Sequence, residues 1–147
     1  IGGVNTPAFE VSLSGNQSID NSETSTKVTF DTETIDSEGW YDTSNYRYTP
    51  QVAGWYQFDC KLQFADASAI RMIGDFTKNG GPVGLNRWVD VTFNGIGVQQ
   101  FQGTMYFHLN GSTDYVEAYA WIDNTGSDQY LYNSDGVYFA GRLVRAD

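Results

Sequence analysis

A chain of 147 residues with eight Lys/Arg against eighteen Asp/Glu carries a net charge of −10. It lacks the cationic surface that binding to nucleic-acid phosphates or to an anionic membrane requires. Aromatic residues make up 16%, there are sixteen glycines and only two methionines, a balance that favours strands joined by tight turns over helices. A domain of this size buries about 70% of its unfolded surface, enough for one core without staples. Cys60 is the single cysteine, which excludes an internal disulfide framework. No apolar run is long enough for a membrane span, and no signal peptide is visible. The first residue is Ile1 rather than Met. The expectation is a processed chain or a segment of a longer polypeptide, one domain over 1–147 with 1–6 as a linker from a preceding stalk or anchor.

In chain order, residues 7–13 place Phe9, Val11 and Leu13 on one face of a strand. A polar stretch, 14–26, reads as a loop holding at most one short strand. Residues 27–35 resume the β pattern, and 46–49 form a strand that ends at Pro50, since proline is tolerated only at strand ends and edges. From Gly54 the alternation is strict. Tyr56, Phe58, Cys60, Leu62 and Phe64 interleave with Gln57, Asp59, Lys61 and Gln63, as in a half-buried antiparallel strand. Residues 68–77 form a further strand closed by Lys78-Asn79-Gly80-Gly81, a hairpin-turn signal. Residues 98–109 alternate through Phe101, Gly103, Met105, Phe107 and Leu109, and Asn110-Gly111 turns the chain into 115–122. Tyr130-Leu131-Tyr132 and 137–145 complete the pattern. Eight to ten short strands without a helix predict an all-β, two-sheet jelly-roll sandwich. Its interior is expected to hold Tyr56, Phe58, Leu62, Phe64, Phe101, Met105, Phe107, Val116, Ala118, Phe139 and Leu143.

Residues 115–122 depart from simple alternation. Val116, Ala118, Ala120 and Ile122 occupy one face, and Tyr115, Tyr119 and Trp121 occupy the other. A sandwich has one interior, so the second face needs cover. Loop cover from the same chain is one source; self-association is the expected one, which makes Tyr115, Tyr119 and Trp121 the candidate subunit-interface residues.

No catalytic constellation is apparent. A nucleophilic triad needs a base beside the nucleophile and a third group to orient it. The only histidine, His108, falls on the polar side of a strand, while Cys60 falls on the core side. Nothing singles out one carboxylate pair among eighteen acids, so no enzyme activity is expected. Calcium is the one cation for which oxygen ligands are at hand, from Asp123, Asn124 and Asp128 or from Asp31, Glu33, Asp36 and Glu38. Neither run has hand-loop spacing; the carboxylates are read as solvated surface, with no cofactor expected. Trp40, Tyr41, Trp88 and Tyr130 lie in or near predicted turns. They are the candidate ligand contacts, because binding residues concentrate on loops of a rigid scaffold.

Eight short motifs in order carry a family resemblance: Ala8-Phe9, Phe30-Asp31, Tyr41-Asp42, Tyr48-Thr49-Pro50, Gly54-Trp55-Tyr56-Gln57-Phe58, Lys78-Asn79-Gly80, Asp114-Tyr115-Val116 and Phe139-Ala140-Gly141-Arg142-Leu143. Together they resemble the globular head of complement component 1q and its tumour-necrosis-factor-like relatives, from about residue 7 to the end. The departure is Ser112-Thr113-Asp114, where the family has Gly-Asp. The resemblance implies about ten strands in a jelly roll and a compact homotrimer that binds proteins or glycans through exposed loops. Asn5-Thr6-Pro7-Ala8-Phe9, the run 26–33 and Tyr46-Arg47-Tyr48-Thr49-Pro50 are similar to bacteriophage versions of this domain. The expectation is a trimeric virion module, a fibre or spike head that contacts a host-surface glycan or protein, with a capsid-decorating or fibre-trimerising role as the alternative.

Overall fold

The computed structural model describes residues 6–20, 24–64, 69–92, 98–124, 129–134 and 136–147. Among them are thirteen strands and no helix, and every strand pairing is antiparallel. The two runs with the strictest alternation become the two longest strands, β7 (Ala53–Phe64) and β10 (Gln99–Asn110), paired from end to end. The other edge of β7 takes β13 (Tyr138–Ala146), which pairs with β1 (Ala8–Ser12), and β1 pairs with β4 (Thr32–Asp36). Two short strands, β2 (Gln17–Ile19) and β12 (Gln129–Leu131), extend this seven-stranded sheet where Leu131 meets Phe64. The second sheet runs β5 (Tyr41–Asp42), β6 (Arg47–Tyr48), β11 (Val116–Asn124), β8 (Ala69–Lys78), β9 (Arg87–Thr92), with β3 (Thr26–Lys27) also on β11. Strands remote in sequence lie side by side in both sheets, the expected jelly roll.

The core follows from the alternation. Tyr56, Phe58, Cys60, Leu62 and Phe64 are at most 1% exposed, and Met72, Phe76, Val116, Ala118, Ala120 and Ile122 face them from the other sheet. Phe107 and Phe139 are buried as expected, whereas Phe101, Met105 and Leu143 are partly buried and pack against the same cluster. Phe58 sits at its centre, within 6.4 Å, ring to ring, of Phe9, Tyr48, Tyr56, Phe76, Phe107 and Phe139.

Strand β9 is the largest departure from expectation. Lys78-Asn79-Gly80-Gly81 does reverse the chain, with Asn79 in the left-handed region at φ 58° and the Gly81 N–H donating to the Lys78 carbonyl. The partner strand, however, begins only at Arg87. Residues 79–86 form a longer loop, pinned by Asp75, whose carboxylate accepts from the N–H groups of Gly84 and Asn86. Trp88 therefore belongs to a strand rather than a turn. Its ring wedges between the two sheets: a Cβ on Gly74 would lie 2.2 Å from the indole, and one on Gly103 would lie 2.6 Å from the Trp88 Cβ. Only glycine permits that approach at these two positions.

At the end of the sandwich where the chain enters at Pro7, the Ser112-Thr113-Asp114 departure changes one turn. Asn110 Oδ1 accepts from the N–H groups of Ser112, Thr113 and Asp114, and Asp114 binds Lys78 (2.9 Å) and Asn79 (2.7 Å). Burial alone would raise the Asp114 carboxyl, but Lys78, Asn79 and the Asn110 N–H outweigh it and hold it below its ordinary 3.8. A carboxyl lowered in the folded state stabilises above its unfolded pKa of about 3.9 and loses that contribution as pH falls through the folded value. Chemical-denaturation midpoints are thus expected to fall less steeply between about pH 5 and 2 in Asp114→Asn than in the unsubstituted chain.

Candidate functional site

The two sheets present very different outer faces. On the seven-stranded sheet, the residues of β7 that point away from the core are Trp55, Gln57, Asp59, Lys61 and Gln63. Register places Trp55 beside His108, Gln57 between Tyr106 and Arg142, and Asp59 between Thr104 and Ala140. The Ala140 row continues through Glu10 to Ile35. Four large apolar side chains stand half in water there: Trp55 (48% exposed), Tyr106 (55%), Val144 (54%) and Ile35 (52%). Polar groups between them are tied to one another. Tyr106 and Arg142 both donate to Gln57 Oε1, at 3.3 and 3.1 Å, and Thr104 donates to Asp59. At the margin, His108 Nε2 lies 3.0 Å from Asp147, and its ring packs edge-on against Trp55. The face thus combines exposed aromatics with both signs of charge, Asp59 and Glu10 beside Arg142 and Lys61. Such a composition matches the centre and rim of a protein–protein contact.

The outer face of the six-stranded sheet is partly covered from within the chain. Glu117 is buried, paired with Lys27 at 2.5 Å, and accepts from Thr77 Oγ1 at 3.3 Å. Arg47 lies over the Tyr115 ring at 4.5 Å, and Arg71 over the Trp121 ring at 5.8 Å. Lys27 pairs in register with Tyr119, whose hydroxyl burial shifts to a higher pKa. Arginine and lysine stems and β3 thus cover part of Tyr115, Tyr119 and Trp121, the expected interface residues, and leave each of them partly exposed.

A cleft of about 300 Å³ opens on this face, lined by Ser25, Arg71, Ile73, Asp75, Val83, Gly84, Arg87 and Trp121. Asp90 bridges its two arginines, accepting from Arg71 Nη2 at 2.7 Å and from Arg87 Nη1 at 2.6 Å. Those hydrogen bonds, Arg71 first, hold the Asp90 carboxyl below its ordinary value. Asp75 is shifted the other way, since burial raises it and outweighs its two backbone N–H donors.

The four expected ligand contacts do not come together. Tyr41 is 6% exposed, and its hydroxyl donates to the Phe30 carbonyl at 3.0 Å, so its side chain is core. Trp88 fills the seam between the sheets. Trp40 is partly buried against the core beside Tyr48, at the same end as Pro7. Tyr130 is 50% exposed at the opposite end, where β12 meets the Phe64 terminus of β7. Cys60 and His108 sit on opposite faces of one sheet and cannot act together, and burial pushes the Cys60 thiol well up, away from the reactive thiolate. Of the oxygen ligands considered for calcium, Asp128 lies outside the described residues. Asp36 accepts from the N–H groups of Gly39 and Tyr41, and Asp31 from Ser14. Among the described residues, no three His, Cys, Asp or Glu side chains gather in metal-binding geometry. No helix there is long and apolar enough to cross a membrane.

Sequence reasoning missed the exposed face of the seven-stranded sheet and the cleft. A signal for the first was present: Trp55 and Tyr106 are aromatics placed out of phase with the core positions of their strands. The cleft depends on β9 and the loop before it, where no periodicity marks the chain.

No family model matches this chain, and no curated protein matches it in sequence. Its fold is similar to that of the globular domain of the zebrafish complement 1qA protein, with a TM-score of 0.71 at 16% identity over 97% of this chain and 100% of that one. It is also similar to murine APRIL at pH 8.5, with a TM-score of 0.65 at 13% identity over 95% of this chain and 98% of that one. Two antiparallel sheets in this strand order, matched over nearly the whole length, give the chain the jelly-roll fold of the complement-1q and tumour-necrosis-factor-like domains.

Proposed function

We propose that the chain is a non-enzymatic recognition module that works as a homotrimer, its subunits meeting on the outer face of the seven-stranded sheet. The observation that carries this is the exposure of Trp55, Tyr106, Val144 and Ile35 together on that one face. Apolar side chains grouped in this way mark an association surface, and Glu10 and Asp59 beside Arg142 and Lys61 supply charges of both signs for a second copy to meet. The number three follows from the fold's likeness to complement 1q and from the motif resemblance. A contact between unlike surfaces also closes into a ring when the rotation allows it.

The resemblance of 5–9, 26–33 and 46–50 to bacteriophage domains supports a place on the outside of a virion, in a fibre or spike head that contacts the host surface. With a net charge of −10 the partner is a surface glycan or protein rather than nucleic acid or lipid. Tyr130, exposed at the end opposite Pro7, is the aromatic of the original four best placed to meet it. Added in excess, the purified assembly is expected to lower adsorption of the parent phage to its host, and Tyr130→Ala to weaken that competition without changing thermal stability. If the assembly neither binds cells nor blocks adsorption, the structural alternative, decoration or trimerisation without a ligand, replaces the recognition role.

A further inference from the structure

The cleft between Trp121 and the 83–87 segment takes no part in the assembly face, and it is built from an unusual set of groups. One indole ring forms a wall. The Arg71 guanidinium lies 5.8 Å from its ring centroid and leaves the ring partly exposed, and both cleft arginines are fixed in place by a shared carboxylate, with Arg71 donating to Asp90 through both Nε and Nη2. The loop that forms the opposite wall is held by the Asp75 carboxylate through Gly84 and Asn86. Arg71 and Arg87 are surrounded by Asp75, Asp90 and Asp123, so the cleft has no cationic excess to select an anion. What it does offer is a density of fixed donors: each guanidinium has five N–H groups, and only part of that capacity is spent on Asp90. A volume of about 300 Å³ is at the small end for ligand pockets, room for one ring rather than an extended chain.

An aromatic face, no cationic excess and pre-positioned hydrogen-bonding groups together suit one ligand class. A pyranose presents an apolar C–H face that packs on an indole, and a rim of hydroxyls that both donate and accept. We infer that this cleft binds a neutral sugar ring, stacked on Trp121 and hydrogen-bonded by Arg71 and Arg87. This rests on the reading of the chain as a recognition module and names the chemistry that it recognises. Because Asp90 and Asp75 already fix the arginines and the loop, little ordering remains to be done on binding.

The test is saturation-transfer NMR on the intact assembly with methyl β-galactoside, methyl α-glucoside and N-acetylglucosamine at millimolar concentration. At least one is expected to receive saturation on its ring protons, with a dissociation constant on the order of 1 mM, as suits a shallow single-ring site. Trp121→Ala should weaken binding at least about tenfold, the equivalent of 1.4 kcal/mol. Arg71→Ala, at a half-exposed side chain, should do the same and serves if Trp121→Ala fails to fold. Absence of transfer to all three sugars, or transfer unchanged in both variants, overturns the inference. So does binding restricted to sulfated or sialylated sugars and abolished by salt. If the assembly adsorbs to cells while the sugars fail, the sugar site alone is wrong; if both fail, the recognition role falls with it.

Discussion

Tyr106→Asp is expected to convert the assembly into folded monomers. Tyr106 is 55% exposed on the seven-stranded sheet's outer face, on β10, opposite Gln57 of β7 with Arg142 of β13 beyond it. A carboxylate there would be desolvated by the neighbouring subunit with no partner placed for it. Leaving one charge buried and unpaired at an interface costs about 2–5 kcal/mol, so association should weaken by about 30-fold or more. The core is untouched, because Tyr106 points away from it, and far-ultraviolet circular dichroism should keep its β signature. Tyr119→Asp provides the contrast. It lies on the outer face of the other sheet, beside Lys27, and should leave the assembly intact. Dissociation by Tyr119→Asp with none by Tyr106→Asp would reverse the interface assignment.

Phe58→Ala is the substitution expected to cost the most stability. Phe58 is fully buried and reaches aromatic rings from β1, β6, β7, β8, β10 and β13, so it ties both sheets together. Truncating a buried phenylalanine typically costs about 3–5 kcal/mol, through lost transfer energy and the cavity left behind. For a chain of this length that is a fall in melting temperature of about 10 °C or more, read at fixed protein concentration because association itself stabilises. A fall of only a degree or two would show that the aromatic cluster is not the joint between the sheets.

How much of this was legible in the residues varies by element, and for physical reasons. Strands β7 and β10 announced themselves because one face of each is buried and the other is not, which writes period two directly into the sequence. Strands β3, β5 and β6 are two residues long, too short for any periodicity. Strand β9 has no clean alternation, because its heavy anchor, Trp88, is accommodated by Gly74 and Gly103 on the two flanking strands, β8 and β10, which belong to different sheets. That contact exists only once both sheets are assembled, so Trp88 looked like a loop aromatic. Tyr41 misled similarly: Asp36 caps the turn before it and rotates the ring inward, to hydrogen-bond Phe30. The double-sided pattern of β11 was read as two covered faces, and Lys27, Arg47 and Arg71 supply part of the cover on the outer one. Long cationic side chains spread over aromatic rings hide apolar surface without leaving any hydrophobic signal in the sequence. The proposed assembly face was legible in principle, since Trp55 and Tyr106 interrupt otherwise polar positions.

The claim on which the rest depends is that this chain associates through the seven-stranded sheet. Sedimentation equilibrium of the unsubstituted chain at micromolar concentration, without denaturant, tests it most directly. The account predicts a single species of three times the 16.4 kDa chain mass, persisting on dilution through the micromolar range. A species of one chain mass, with Trp55, Tyr106, Val144 and Ile35 left in water, would contradict it.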